Sequence, residues 1–124
     1  MELTKLKGEG PERIQLDMAD PLFAAGDSRT AVAPITVSPA GLSCGGELFL
    51  GPDEVTKVAT SGLVPFVSTG ISQAISLPVT MPIPGGFAYH VYLDVYANGI
   101  LLVAYIATED VIVPYGEVGP IIWE

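Results

Sequence analysis

The sequence predicts an all-β protein: an antiparallel β-sandwich over residues 30–124, preceded by an extended N-terminal arm, residues 1–29. From residue 30 onward, apolar residues recur with a period of two, which is typical of strands. The 14 glycines and 11 prolines punctuate the chain at short intervals. No long stretch has the 3.6-residue period of an amphipathic helix. With 49% hydrophobic and 15% charged residues, the 124-residue chain is expected to form one core.

The arm differs in composition from the rest of the chain, because it is charged and repeatedly broken by Gly and Pro. Within it, the segment RIQLDM predicts a short strand with Ile14, Leu16 and Met18 on one side. These three residues form the predicted docking arm. An unstructured tail is the alternative.

The body is divided into short strands by turn residues at intervals of about ten residues, a spacing typical of antiparallel sandwiches. Three of these strands contain a proline, at Pro34, Pro65 and Pro78. Proline has no N–H to donate to a ladder, so these strands are predicted at sheet edges or bulges. The predicted strands are 30–37, 46–50, 55–59, 63–68, 72–81, 87–96, 100–108 and 110–114, and PIIWE at 120–124 is a further candidate.

Residues 87–108, FAYHVYLDVYANGILLVAYIAT, predict a hairpin around a type I′ turn at Asn98-Gly99. Ala97 then faces Ile100 and the register continues unbroken, with Val95 opposite Leu102, Leu93 opposite Ala104 and Val91 opposite Ile106, which makes one face wholly apolar. The other face is the predicted interaction face, which comprises His90, Tyr92, Tyr96, Leu101, Val103 and Tyr105. A solvated sheet face is normally polar, so we expect this one to be covered. Its cover is either the arm, a loop or the second sheet of the same chain, or a partner subunit.

The net charge of −9 is unevenly distributed. Residues 1–29 hold six acidic and four basic residues, a balance of −2, whereas residues 30–124 hold eight acidic residues and only Lys57, a balance of −7. This excludes binding to nucleic acid and disfavours an anionic membrane surface. The N-terminus does not resemble a signal peptide, and its start at Met1 favours a complete chain. The predicted location is a virion or other assembled particle rather than the secreted cell surface.

Catalytic chemistry has few candidates, because the chain has one histidine, His90, and one cysteine, Cys44. Zinc sites need several such ligands. The acidic segments 51–54 (GPDE) and 108–111 (TEDV) lack the spacing of a calcium loop and are interpreted as solvated turns, with bound calcium as the alternative. We therefore expect no enzymatic activity, no cofactor and no metal.

The stretch PIPGGFAYHVYLDVYANGILLVAYIATEDVIV resembles the closing strands of immunoglobulin-like, CARDB-like modules of prokaryotic cell-surface proteins. AVAPITVSPAGLSCGGELFL is similar to their opening strands. The resemblance covers about residues 30–114 and implies an immunoglobulin-like sandwich that binds, spaces or assembles without catalytic residues. A jelly-roll-like sandwich is the alternative fold. The charged arm departs from that pattern.

Two functions follow as expectations. The first is a structural assembly protein that docks through its arm and interaction face onto copies of itself or a lattice of another protein, as virion decoration or fibre components do. The second is an extracellular adhesion or glycan-binding module of a larger surface protein.

Overall fold

A computed structural model describes the backbone of residues 13–16 and all of residues 21–124. The described residues form strands and no helix, which confirms the predicted β-sandwich. The strands are β1 (Arg13–Leu16), β2 (Ser28–Thr36), β3 (Ser43–Gly51), β4 (Ala59–Thr60), β5 (Val64–Val67), β6 (Ser72–Thr80), β7 (Phe87–Ala97), β8 (Ile100–Ala107) and β9 (Val111–Val113).

The strands form two sheets of unequal width. The wide sheet has the order β1-β8-β7-β3-β4, with β5 also paired to β3 and β9 also paired to β7. All of its pairs are antiparallel except β1 with β8, which is parallel. The narrow sheet is the antiparallel pair β2-β6. Strand β7 is therefore central, with neighbours on both sides.

The core lies between the two sheets, where the inner faces of β2 and β6 pack on β3, β7 and β9. Leu77 and Val113 are fully buried there. The outer face of the narrow sheet is solvated, and it carries only small or uncharged residues. The buried core residues are Ile35, Val37, Cys44, Leu50, Ile75, Leu77, Val79, Met81, Val91, Leu93, Val95, Ala97, Ala107, Val111 and Val113.

The predicted turn and the predicted strand edges are confirmed. Asn98 and Gly99 both have positive φ, 49° and 78°, as a type I′ turn requires. The three strands that contain a proline, β2, β5 and β6, are each paired on one side only in the described part of the chain. Each proline, which has no N–H to donate, therefore lies in a strand at the edge of a sheet.

Two predicted strands are wrong. Residues 55–59 form a turn instead, and only Ala59 belongs to a strand, β4. The cause is the carboxylate of Asp53, whose Oδ1 accepts hydrogen bonds from the backbone N–H groups of Val55 at 3.0 Å and Thr56 at 2.8 Å. These hydrogen bonds also hold the pKa of Asp53 below its usual value. Residues 120–124 form no strand and are exposed.

Candidate interaction surfaces

The β7–β8 hairpin contains a bulge that the sequence-based pairing does not include. The two pairs next to the turn are as predicted, but the register shifts between Val95 and Tyr96, where Leu102 is an extra residue. A one-residue shift turns every later side chain of β8 to the opposite face. The observed pairs beyond the bulge are Val95–Val103, Asp94–Ala104, Leu93–Tyr105 and Tyr92–Ile106.

The bulge divides the predicted interaction face between two sides of the wide sheet. Val103 and Tyr105 face inward and pack against the core between the sheets, so their placement on the interaction face is wrong. The opposite side of the wide sheet, which we call the outer face, carries the remaining four predicted residues, His90, Tyr92, Tyr96 and Leu101.

The outer face is covered at its centre, as expected. Tyr92 is 3% exposed and Phe49 is fully buried; their rings stack with centroids 5.0 Å apart. Asp94 is also buried. Because this burial exists within a single chain, Tyr92 is not available to a partner subunit. The prediction that the ring of Tyr92 contacts a partner subunit is therefore wrong.

The loop between β3 and β5 supplies part of this cover. The ammonium of Lys57 lies 4.7 Å from the ring centroid of Phe49, a cation–π contact. The same ammonium donates a hydrogen bond to Oε1 of Glu47 at 2.8 Å, and the hydroxyl of Thr60 donates to Oε2 of Glu47. The side chain of Leu63 packs over Gly45, where a Cβ would lie 2.6 Å from its Cδ1.

The carboxylate of Glu47 is expected to make stability depend on pH. Burial raises the pKa of Glu47, but the hydrogen bonds from Lys57 and Thr60 and the charge of Lys57 outweigh burial and hold the pKa below its usual value. A lowered folded-state pKa stabilises the fold above the unfolded-state pKa, and that contribution is lost as the pH falls through the folded-state pKa. Glu47→Gln should cost about 1 kcal/mol at neutral pH and flatten the acid limb of the stability profile.

Urea unfolding at a series of pH values measures this effect. Glu117→Gln removes an exposed carboxylate of equal charge, and should leave the slope of the acid limb as in the wild type. Identical acid limbs for the wild type and Glu47→Gln would show that the Lys57–Glu47 contact contributes nothing.

The predicted docking arm is described only in part. Residues 13–16 form β1, as predicted, and this strand lies along β8 of its own chain, with Ile14 paired to Tyr105 and Leu16 to Ala107. Met18 lies outside the described residues. The contact that the described strand makes is therefore intramolecular.

The residues considered for catalysis do not come together. Cys44 is buried in the core between the sheets, where its thiol contacts the carbonyl oxygen of Leu42 at 3.5 Å. His90 lies on the outer face, with its Nδ1 2.8 Å from Oδ1 of Asp110. The wide sheet separates the two, so they cannot form a thiol–imidazole pair. Among residues 21–124, no three His, Cys, Asp or Glu side chains gather as a metal site.

The segment after β9, which we call the tail (residues 114–124), is a feature that the strand pattern did not reveal. All of its residues are exposed. Five of them are large and apolar: Tyr115, Val118, Ile121, Ile122 and Trp123, the last 92% exposed. Its origin is fixed, because the N–H of Gly86 donates to the carbonyl oxygen of Val113 at 2.6 Å. The sequence signal for this segment is the apolar run PIIWE at 120–124, which the strand pattern interprets as a further strand.

An apolar cleft of about 180 Å³ opens between the two sheets at one end of the sandwich. The guanidinium of Arg29 lies at this cleft, 4.8 Å from the ring centroid of Phe23 and 3.2 Å from Oδ2 of Asp27. The cleft is lined by Pro21, Phe23, Arg29, Thr30, Ala31, Leu48, Leu50, Val79, Met81, Val91 and Val111.

No helix in the described part of the chain is long and apolar enough to cross a membrane. Comparisons of the chain with protein families, with curated proteins and with solved structures give no match.

Proposed function

We propose that this chain is a non-enzymatic assembly protein, a small acidic β-sandwich that joins copies of itself, as decoration or fibre components of virus particles do. The tail carries the proposal. Within eleven residues it exposes five large apolar side chains, of which Ile121, Ile122 and Trp123 are consecutive and each more than three quarters exposed. Scattered exposed apolar residues are ordinary, but a contiguous apolar segment marks a surface for another protein.

The edges of the narrow sheet and the centre of the outer face are poor surfaces for contact with a second copy. The narrow sheet consists of two edge strands, and each carries a proline, Pro34 in β2 and Pro78 in β6. Prolines on edge strands hinder pairing with the edge of another sheet. The tyrosine ring at the centre of the outer face is buried within the chain. A contact between copies is therefore expected to use the tail.

The strand order supports the immunoglobulin-like, CARDB-like resemblance as part of this proposal. In immunoglobulin-type sandwiches, strands C, F and G form one sheet and strands B and E belong to the other. Here β3, β7 and β8 lie side by side in the wide sheet, and β2 pairs with β6 in the narrow one. Modules of this kind bind, space or assemble, which agrees with the proposed role.

We expect the mass of the protein to rise with concentration above the 12.9 kDa of one chain. Sedimentation equilibrium from about 1 µM to about 300 µM measures this, because association is driven by mass action. The double variant Ile121→Ser, Ile122→Ser should associate more weakly, since it removes apolar contact area from the tail. Val55→Ser, Val58→Ser removes two other exposed apolar side chains and should associate like the wild type. A wild type of 12.9 kDa at every concentration would contradict the proposal.

A further inference from the structure

The cleft and the tail are complementary features of one chain, and the tail does not fill the cleft of its own chain, because its side chains are exposed. We infer that residues 121–124 of one copy bind in the cleft of a second copy, with the indole of Trp123 between the sheets and the carboxylate of Glu124 beside Arg29. This inference rests on the proposed self-association and names the two surfaces that make it.

The cleft suits an aromatic side chain in size and chemistry. Its volume is about 180 Å³, and a dry protein cavity of about 150 Å³ is large enough to take up benzene. Leu48, Leu50, Val79 and Val91 give it apolar walls, from both sheets. Trp123 is the chain's one tryptophan.

The charges favour the tail over another apolar segment as the occupant. The body of the chain is strongly acidic, and Arg29 and Lys57 are the two Lys or Arg residues in 21–124. One of these two cations, Arg29, lies at the cleft. The tail places a carboxylate, that of Glu124, directly after the tryptophan that would enter the cleft. One nitrogen of the guanidinium already donates to Asp27, but arginine has five N–H donors in one plane, so others can donate hydrogen bonds to a second carboxylate.

The geometry of the chain permits the tail to reach a neighbour. Ten residues, 114–123, span up to roughly 33 Å when extended. That is more than twice the radius of gyration of about 13 Å expected for a domain of 100 residues. Because the tail and the cleft are different surfaces, the contact is heterologous. Rings or filaments form if each copy binds the tail of one neighbour and gives its own tail to another. A closed dimer forms if two copies exchange tails, because the two tail–cleft contacts are then related by a two-fold axis.

The fluorescence of Trp123 tests the inference in the 124-residue chain. The indole is 92% exposed in the single chain, so its emission should resemble that of tryptophan in water. We expect the emission to shift to shorter wavelength with rising concentration, in parallel with the rise in mass. Trp123→Ser should weaken association at least about 30-fold, the loss expected when a central aromatic contact is removed. Tyr115→Ser, at another exposed position of the tail but nearer the sandwich, should have little effect.

Charge exchange tests the pairing of Glu124 with Arg29. Arg29→Glu and Glu124→Arg should each weaken association about fivefold, as an exposed ion pair would predict. An equimolar mixture of the two variants, or the double variant, should recover it. Glu117→Arg makes the same charge change elsewhere on the tail and serves as the control. Both Arg29 and Glu124 are exposed, so these variants are expected to fold.

The outcomes separate this inference from the proposed function. A rise in mass without an emission shift, or with Trp123→Ser associating like the wild type, overturns the inference and leaves self-association standing. An emission already shifted at the lowest concentration, in a species of 12.9 kDa, places the tail in its own cleft and also overturns it. A wild type that never associates overturns both. Rescue by charge exchange, together with the emission shift, supports the inference.

Discussion

Tyr92→Lys is expected to destabilise the fold by about 3–5 kcal/mol, because it places an ammonium where the structure has a buried ring. Tyr92 is 3% exposed, on the central strand β7, and its ring stacks on that of Phe49. The substitution removes this stacking and leaves the lysine charge either desolvated or neutral at an energetic cost. For a domain of this size the melting temperature should fall by roughly 15 °C. Urea unfolding followed by far-UV circular dichroism measures the loss.

Tyr96→Lys is the matched control for this prediction. Tyr96 lies on the same strand and the same face, but it is only partly buried, so a lysine there can extend its ammonium into water. We expect a loss of about 1 kcal/mol. If the two variants were equally stable, the ring of Tyr92 would not be part of the core. A Tyr92→Lys variant with wild-type stability and impaired association would restore the view that this ring contacts a partner.

The pattern of the sequence predicts β7 better than β8, for a physical reason. In β7, buried inward residues alternate with a series that includes His90 and Asp94, so its two faces differ in composition. In β8, residues 100–107 read ILLVAYIA and have no such alternation. A strand of uniform polarity does not specify its register, and a bulge can shift it by one residue without burying a charged side chain. The turn at Asn98-Gly99 fixes only the first two pairs.

The sequence pattern predicts a contact surface at the tyrosines of the hairpin, whereas the structure buries Tyr92 and exposes the tail. Aromatic residues in alternation reveal that a face is covered, but not whether the cover belongs to the same chain. The stacking of Tyr92 on Phe49 joins β7 to β3 across 43 residues of sequence, a pairing that the local pattern does not contain. The tail, in contrast, is apolar without a strand to pair with, and its exposure follows from the absence of any partner strand for it among residues 21–124.

The cover of the outer face also depends on how closely the loop after β3 approaches the strand. Residues 52–58 turn back on the end of β3, where the N–H of Val58 donates to the carbonyl oxygen of Leu50 at 2.8 Å. At Gly51 a Cβ atom would overlap the backbone carbonyl oxygen of Thr56. Backbone atoms cannot move aside as a flexible side chain can, so a methyl group at this position requires the loop to shift.

Gly51→Ala is therefore expected to destabilise the fold by about 3 kcal/mol or more, at the upper end of the cost of overpacking. The loop that must move carries Lys57, so the variant should also lose the contacts of Lys57 with Phe49 and Glu47. Gly46→Ala, on the same strand, is the control, since its Cβ would meet side-chain atoms no closer than 3.4 Å. Urea unfolding of both variants measures the difference. If Gly51→Ala were as stable as Gly46→Ala, the loop would not be held against β3, and Lys57 would not cover the outer face.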